Sequence, residues 1–241
     1  MTELELAGLK VHLNKSALAD SGSMKAAVVL LHGFGAPGTD LLSLADVLPV
    51  PEGTGLFFPE GPLDLGQVLG RSYSGARAWW PIDMVQLQVA MMTGQVARAA
   101  EGLANGLERA RDQVIILLNE LQERFGIDSN RIVLGGFSQG AVASLDVALR
   151  DSRKLAGLLL MSGTMTNPDA VAELAAERVN LPIMLSHGRS DPVLPYSVAE
   201  ALRDKLINAG CQVTWVPFDG GHGIPRDVQL AAATLLPKWL G

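Results

Sequence analysis

Arg131-Ile-Val-Leu-Gly-Gly-Phe-Ser-Gln-Gly-Ala-Val-Ala-Ser-Leu145 decides the fold. A short apolar run leads into Gly136-Phe-Ser-Gln-Gly140, and a helical pattern follows. Gly-x-Ser-x-Gly between a strand and a helix is the nucleophile elbow. The serine sits on a sharp, strained turn, and side chains two residues to either side would collide, which accounts for the glycines at 136 and 140. The turn holds the Ser138 hydroxyl out at the top of a sheet. The helix beginning there points its free N–H groups and its positive end at the same spot. A chance pentapeptide in a chain with 26 glycines is the bland alternative. The strand before the motif and the helix after it weigh against that.

Outward from the elbow, strand and helix patterns alternate. Residues 26–31 and 155–161 are continuous apolar runs, the mark of strands buried on both faces. Residues 55–58, 181–186 and 211–218 read as further strands, and residues 4–13 as one edge strand followed by a loop over 14–25. Asp40 is placed to cap a helix over 41–48, and residues 63–78 carry no clear period and read as loop. Residues 82–125 read as helical, with Val96, Ala100, Leu103, Leu107, Ala110, Val114, Leu117, Leu121 and Phe125 on one face. Gly102 and Gly106 predict a break there, and Gly126 a stop. Helices are expected over 168–178 with Asn167 as cap, over 197–208, and from about 225 to 239. This alternation predicts a mostly parallel central sheet with helices on both faces. The length of 241 residues suits a single α/β domain over 1–241.

Hydrophobic residues make up 48% of the chain and charged residues 18%, so a large core can form. A formal net charge of -6 without a basic block argues against nucleic acid as partner. The single cysteine, Cys211, excludes an internal disulfide. With no signal-like start and no apolar run of the roughly 20 residues that a membrane span needs, this favours the cytoplasm. No histidine pair has metal-ligand spacing, so no metal is expected. The oligomeric state is left open, a homodimer being one arrangement compatible with the chain.

A serine hydroxyl needs a base, and the base needs an orienting carboxylate. With an elbow of this kind the acid and then the base follow the serine along the chain. Of the four histidines, His12 and His32 precede Ser138. His187 leaves no loop acid between itself and the serine. His222, in a glycine-rich loop after the last strand, is therefore the base. Among the acids between 138 and 222, most fall on helices, and Asp219 would have to fold back on a neighbour only three residues away. Asp191 follows a buried strand and is restrained by Pro192, so it is the acid. For the oxyanion, one N–H belongs to Gln139, the residue after the nucleophile. The other is assigned to Phe34 in His32-Gly-Phe-Gly35, where the glycines let the backbone approach a substrate.

These residues carry a resemblance. The chain resembles the phospholipase/carboxylesterase branch of the α/β-hydrolases, which includes the acyl-protein thioesterases. The likeness is strongest over 126–160, and Leu31-His-Gly-Phe-Gly35, Trp79-Trp80, His187-Gly-Arg-Ser-Asp-Pro-Val-Leu-Pro195 and Gly221-His222 extend it. It implies the α/β-hydrolase fold, the same triad and oxyanion amides, and cofactor-free hydrolysis of carboxylic esters or thioesters. Ala141, Ala36-Pro-Gly38, Pro81, a long methionine-rich segment over 82–107 and Met161-Ser-Gly-Thr-Met165 depart from the family pattern. The expected activity is that of a serine carboxylesterase on a small-molecule ester or acylated substrate with a short to medium acyl chain. The rivals are an acyl-protein thioesterase or lysophospholipase with the same triad, and an inactive α/β-hydrolase serving as a binding module. Trp79, Trp80, Met91, Val193 and Leu194 are the candidate substrate-binding residues. The segment from Trp79 to Met92 is expected to lie over Ser138 as part of a lid or acyl pocket around 79–107. The competing expectation is a core helix continuous with the next one.

Overall fold

The computed structural model describes residues 1–17, 24–95 and 102–241. Strands β1 (Thr2–Leu6), β2 (Leu9–Ala17), β3 (Ala26–Leu31), β4 (Thr54–Pro59), β7 (Ile132–Phe137), β8 (Gly157–Met161), β9 (Pro182–Gly188) and β10 (Gln212–Phe218) form one eight-stranded sheet in the order β1-β2-β4-β3-β7-β8-β9-β10. The pairs from β4 across to β10 are parallel, and β1 and β2 add an antiparallel edge. Two short strands, β5 (Leu63–Asp64) and β6 (Arg77–Ala78), pair separately. This is the α/β-hydrolase arrangement.

Strand alternation splits the core into two layers. Ala27, Val29 and Leu31 of β3, Ile132 and Leu134 of β7, and Leu158 and Leu160 of β8 face one layer. There they meet the helices Leu107–Phe125, Gln139–Arg150 and Tyr196–Asn208. Ala26, Val28, Leu30, Val133, Leu159 and Met184 face the other. That layer is closed by the short 3-10 helix Leu42–Asp46 and the C-terminal helix Arg226–Leu240. Burial on both faces is why these strands are apolar without a break.

Several expectations change in detail. The single edge strand over 4–13 is a hairpin, turning at Ala7 and Gly8 with φ of 53° and 69°. Positive φ at both central residues is the type I′ pattern that suits a two-residue hairpin. Alanine is a rare choice there, so the turn is silent in the sequence. Asp40 caps nothing: the short helix after it has no side-chain cap. The cap lies instead at Asp64, whose carboxylate accepts from the amides of Gly66 and Gln67 and starts the helix Leu65–Leu69 inside the expected loop. The long helical stretch is divided: one helix covers Met84–Met92, and another, Leu107–Phe125, begins after Gly106 at φ 100° and stops at Gly126 at φ 68°. Val96 and Ala100, and residues 18–23 of the expected loop, lie outside the described residues. Asn167 caps its helix as expected, accepting from Ala170 N at 3.0 Å.

The elbow is where backbones come closest. A β carbon on Gly140 would lie 2.0 Å from the Leu31 carbonyl oxygen, and one on Gly136 would lie 2.4 Å from the same atom. Gly140→Ala is expected to cost about 1–3 kcal/mol, as overpacking of a closed site does. At roughly 2–4 °C per kcal/mol for a chain of this size, the melting temperature falls by several degrees. Gly102, with nothing within 4 Å of its β-carbon position, is the control, and Gly102→Ala should hold or raise the melting temperature. Equal melting of the two variants in thermal circular dichroism would show that the close approach is not tight.

Candidate active site

Ser138 follows β7 with φ 53° and ψ -114°, a conformation that side-chain-bearing residues avoid. Its N–H donates to Met161 O at 2.9 Å, and its carbonyl accepts from Ala141 and Val142 in the first turn of the helix behind it. The strained residue is therefore held by backbone bonds on both sides. Gly33 lies alongside: a β carbon there would be 3.4 Å from Ser138 Cβ. The loop after β3 thus runs beside the hydroxyl.

Asp191 and His222 come from the loops after β9 and β10. Arg189 N donates to Phe218 O at 2.9 Å and Ser190 N to Gly220 O at 3.0 Å, so the two loops travel together. The Asp191 side chain is buried, and its Oδ2 lies 2.7 Å from His222 Nδ1. Its Oδ1 accepts from the amides of Val193 and Leu194 at 2.8 and 2.9 Å. Burial pushes the Asp191 pKa up, but the His222 bond and the two amides outweigh it and hold the carboxyl below its usual range. An ionised carboxylate can only accept, so Nδ1 of His222 carries the hydrogen. The His222 ring packs on Phe137 at 4.8 Å between centroids. Asp219, the alternative acid, points into solvent, with its carboxylate 3.4 Å from Arg189.

One cavity of about 210 Å³ includes Ser138, Gln139, Phe34 and His222 in its wall. Val193 and Leu194 line it as well. Apolar lining comes from Ile82, Met84, Leu87, Leu103 and Val142. Gln139, as first residue of its helix, has an amide with no acceptor inside that helix. Trp79 and Trp80 are not in this wall. Both are 2% exposed and belong to the main core, with indole N–H groups donating to His32 O at 3.0 Å and Leu103 O at 2.9 Å. The Met91 side chain lies outside the described residues.

Two histidines matter here beyond the residues singled out in the sequence, and Gln139 has a second role. The Gln139 side chain is buried and grips the adjacent tryptophans. Its Oε1 accepts from Trp79 N at 2.9 Å, and its Nε2 donates to Trp80 O at 2.8 Å. His32 is buried under the loop of Phe34, donating from Nδ1 to Gly33 O at 2.8 Å and accepting from Gly61 N at Nε2, also at 2.8 Å. Burial pushes its pKa down. His187 is buried beside Asp191, and burial lowers its pKa too. The signal available was His-Gly at two strand ends. Among the described residues no cluster of three or more His, Cys, Asp or Glu could hold a metal ion, and no helix is long and apolar enough to cross a membrane.

Residues 14–240 match the phospholipase/carboxylesterase family, and the chain belongs to it. Acyl-protein thioesterase 1 of Schizosaccharomyces pombe is 29% identical over 226 residues, covering 91% of this chain and 93% of the relative. Acyl-protein thioesterase 1 of Neurospora crassa is 34% identical over 136 residues, which is 52% of this chain and only 56% of that relative's length. Among solved structures, that of esterase PE8 superposes with a TM-score of 0.75 at 28% identity, covering 95% of this chain and 97% of the other. The chain spans about half the length of two of the curated relatives it matches, both named acyl-protein thioesterase 1.

The buried imidazoles set an acid limit on stability. His32 and His187 have folded pKa values below the ordinary 6.5. As pH falls through that value the unfolded chain takes up protons first. Their contribution is therefore complete above about pH 6.5 and declines below it. Asp191 and Glu60, held below 3.8 and 4.5, lose theirs only in stronger acid. Melting temperature is expected to be lower at about pH 5 than at about pH 7.5, with net proton uptake on unfolding. A higher melting temperature at the acid value would contradict this.

Proposed function

We propose that the protein is a serine carboxylesterase for esters of short to medium acyl chains, working through Ser138, His222 and Asp191. The observation that carries this is the 2.7 Å contact between His222 Nδ1 and buried Asp191 at the edge of the apolar cavity that also holds Ser138. His222 Nε2 takes the hydroxyl proton as Ser138 Oγ attacks the ester carbonyl. Asp191 fixes the tautomer and steadies the imidazolium. The amides of Phe34 and Gln139 receive the oxyanion. The proton then passes to the departing alcohol. Water, deprotonated by the same imidazole, releases the acid from the acyl-enzyme.

The cavity volume favours the chain length. About 210 Å³ is roughly seven water-sized volumes at about 30 Å³ each. That is enough for an acyl group of some six to eight heavy atoms and too little for a palmitoyl chain lying fully inside. The chain is read as one domain over 1–241, in which the described residues after Trp80 build the acyl wall. A thioester substrate is the second reading, favoured by relatives bearing the name acyl-protein thioesterase 1. The chemistry is shared, and only the leaving group differs.

Ser138→Ala is expected to lose nearly all turnover, and an organophosphonate to label Ser138 alone. Substantial residual activity would remove the nucleophile. On a panel of acyl esters from acetate to palmitate, with one thioester included, kcat/KM should peak at intermediate length. A peak at palmitate would favour the thioesterase reading instead. Leu87→Ala should move the optimum towards longer chains, since each methylene buried is worth about 0.8 kcal/mol. An unchanged profile in that variant would remove Leu87 from the acyl wall. Asp191→Asn should cost far more than Asp219→Asn, and the reverse ranking would transfer the acid role.

A further inference from the structure

His187 is a buried imidazole that the triad does not use. It stands next to last in β9 and is fully buried. Its Nε2 lies 2.8 Å from Leu194 O, and a carbonyl can only accept, so Nε2 carries the hydrogen. The same Nε2 is 3.3 Å from Asp191 Oδ2, the oxygen that His222 meets at 2.7 Å. Its Nδ1 is buried without a partner. An orphaned buried nitrogen costs about 1–3 kcal/mol. Leucine or phenylalanine would fill much of that space at no such cost, so packing alone does not account for a histidine here.

The turn from 191 to 194 is bonded from both sides. Leu194 N donates to Asp191 Oδ1 at 2.9 Å, and Leu194 O accepts from His187. Pro195 follows, with no N–H to offer. We propose that His187 is a positioning residue for Asp191. Its Nε2–H fixes the Leu194 carbonyl and lays a positive edge against Oδ2, leaving the carboxylate one orientation in which to meet His222. This rests on the triad reading given above. The task suits a neutral imidazole: a second proton on Nδ1 would place a cation against Asp191 and compete with His222 for the same oxygen. The other groups facing His187 are the Tyr196 ring, 6.3 Å away between centroids, and beyond it the Arg189 guanidinium, 5.3 Å from the centre of that ring.

The test compares three variants on one ester of intermediate length, with kcat expressed per folded molecule from the amplitude of cooperative unfolding. His187→Leu removes the donor. His187→Gln returns an N–H near the position of Nε2. His187→Asn reaches only as far as Nδ1 and serves if the leucine variant does not fold. His187→Leu and His187→Asn are expected to lose tenfold or more in kcat with KM within twofold of the parent, and His187→Gln to recover most of that loss. A purely structural role would lower the folded fraction and leave kcat per folded molecule unchanged, and that result overturns the inference. Glutamine performing no better than asparagine overturns it as well. Asp191→Asn is run in parallel: if it keeps turnover, the triad reading fails. If it loses turnover while His187→Leu and His187→Asn keep theirs, only the role of His187 fails.

Discussion

The Leu31 carbonyl oxygen occupies the space that a β carbon on Gly136 or Gly140 would need. This approach of three backbone segments without side chains between them governs the rest of the site. It brings the end of β3 against the elbow, so the chain leaving β3 runs beside Ser138. It also lets the helix Gln139–Arg150 start directly after the serine, with no side chain capping its first amides. Ser138 adopts a backbone conformation worth about 1–3 kcal/mol of strain. Its N–H bond to Met161 and the two amides on its carbonyl hold it there. The strain is local, and the sheet on both sides over-determines it.

A second constraint follows from burial. Polar atoms removed from water must find partners, and here the partners join the pieces of the site. Gln139 can be oriented without ambiguity, because Trp79 N–H only donates and Trp80 C=O only accepts. One residue thus supplies a cavity-lining amide from its backbone and anchors the tryptophan pair through its side chain. Trp79 in turn bonds His32 O, and His32 bonds Gly33 and Gly61. A protonated His32 would lose the Gly61 bond, so the loop under Phe34 is built around a neutral ring. The Asp191 turn follows the same logic with the charge reversed: three donors, the amides of Val193 and Leu194 and the His222 ring, meet one buried carboxylate.

The alternation of apolar strands and helices was legible because burial on both faces leaves short unbroken apolar runs, set between longer stretches of helical period. The elbow was legible because its glycines are forced by contact distances, and the meeting of His222 with Asp191 because so few histidines and loop acids follow Ser138. Polar side chains working behind the reacting groups were not legible. Nothing in one sequence distinguishes Gln139 as a clamp from Gln139 as an elbow filler, and His187 was set aside once it failed as a base. The tryptophans were misplaced for a related reason. An apolar stretch rich in aromatics fits a pocket wall and a core equally well, and only the partners of the indole N–H groups separate the two. The Ala7-Gly8 turn failed differently, since alanine at positive φ contradicts the propensity that a reader relies on.

The cavity wall has two origins. Gly33, Phe34, Gln139 and His222 belong to loops or elements seated on the sheet, whereas Ile82, Met84, Leu87 and Leu103 come from the segment after Trp80. Among the described residues, Leu87, Ala90 and Leu103 form a small cluster of their own, and Ile82 packs against both it and the main core. That cluster is tied to the body through the Trp80 indole bonded to Leu103 O and through Gln139 gripping the peptides of Trp79 and Trp80. A small satellite cluster contributes little to global stability compared with layers spanning eight strands, and such units open at lower free energy than the core. On the function proposed above, chemistry and chain-length selection would fall to parts of different rigidity. Residues of the satellite can be exchanged with modest effect on folding, while the two tryptophans that attach it cannot. Divergence in acyl preference can accumulate in the segment after Trp80 without disturbing the geometry around Ser138.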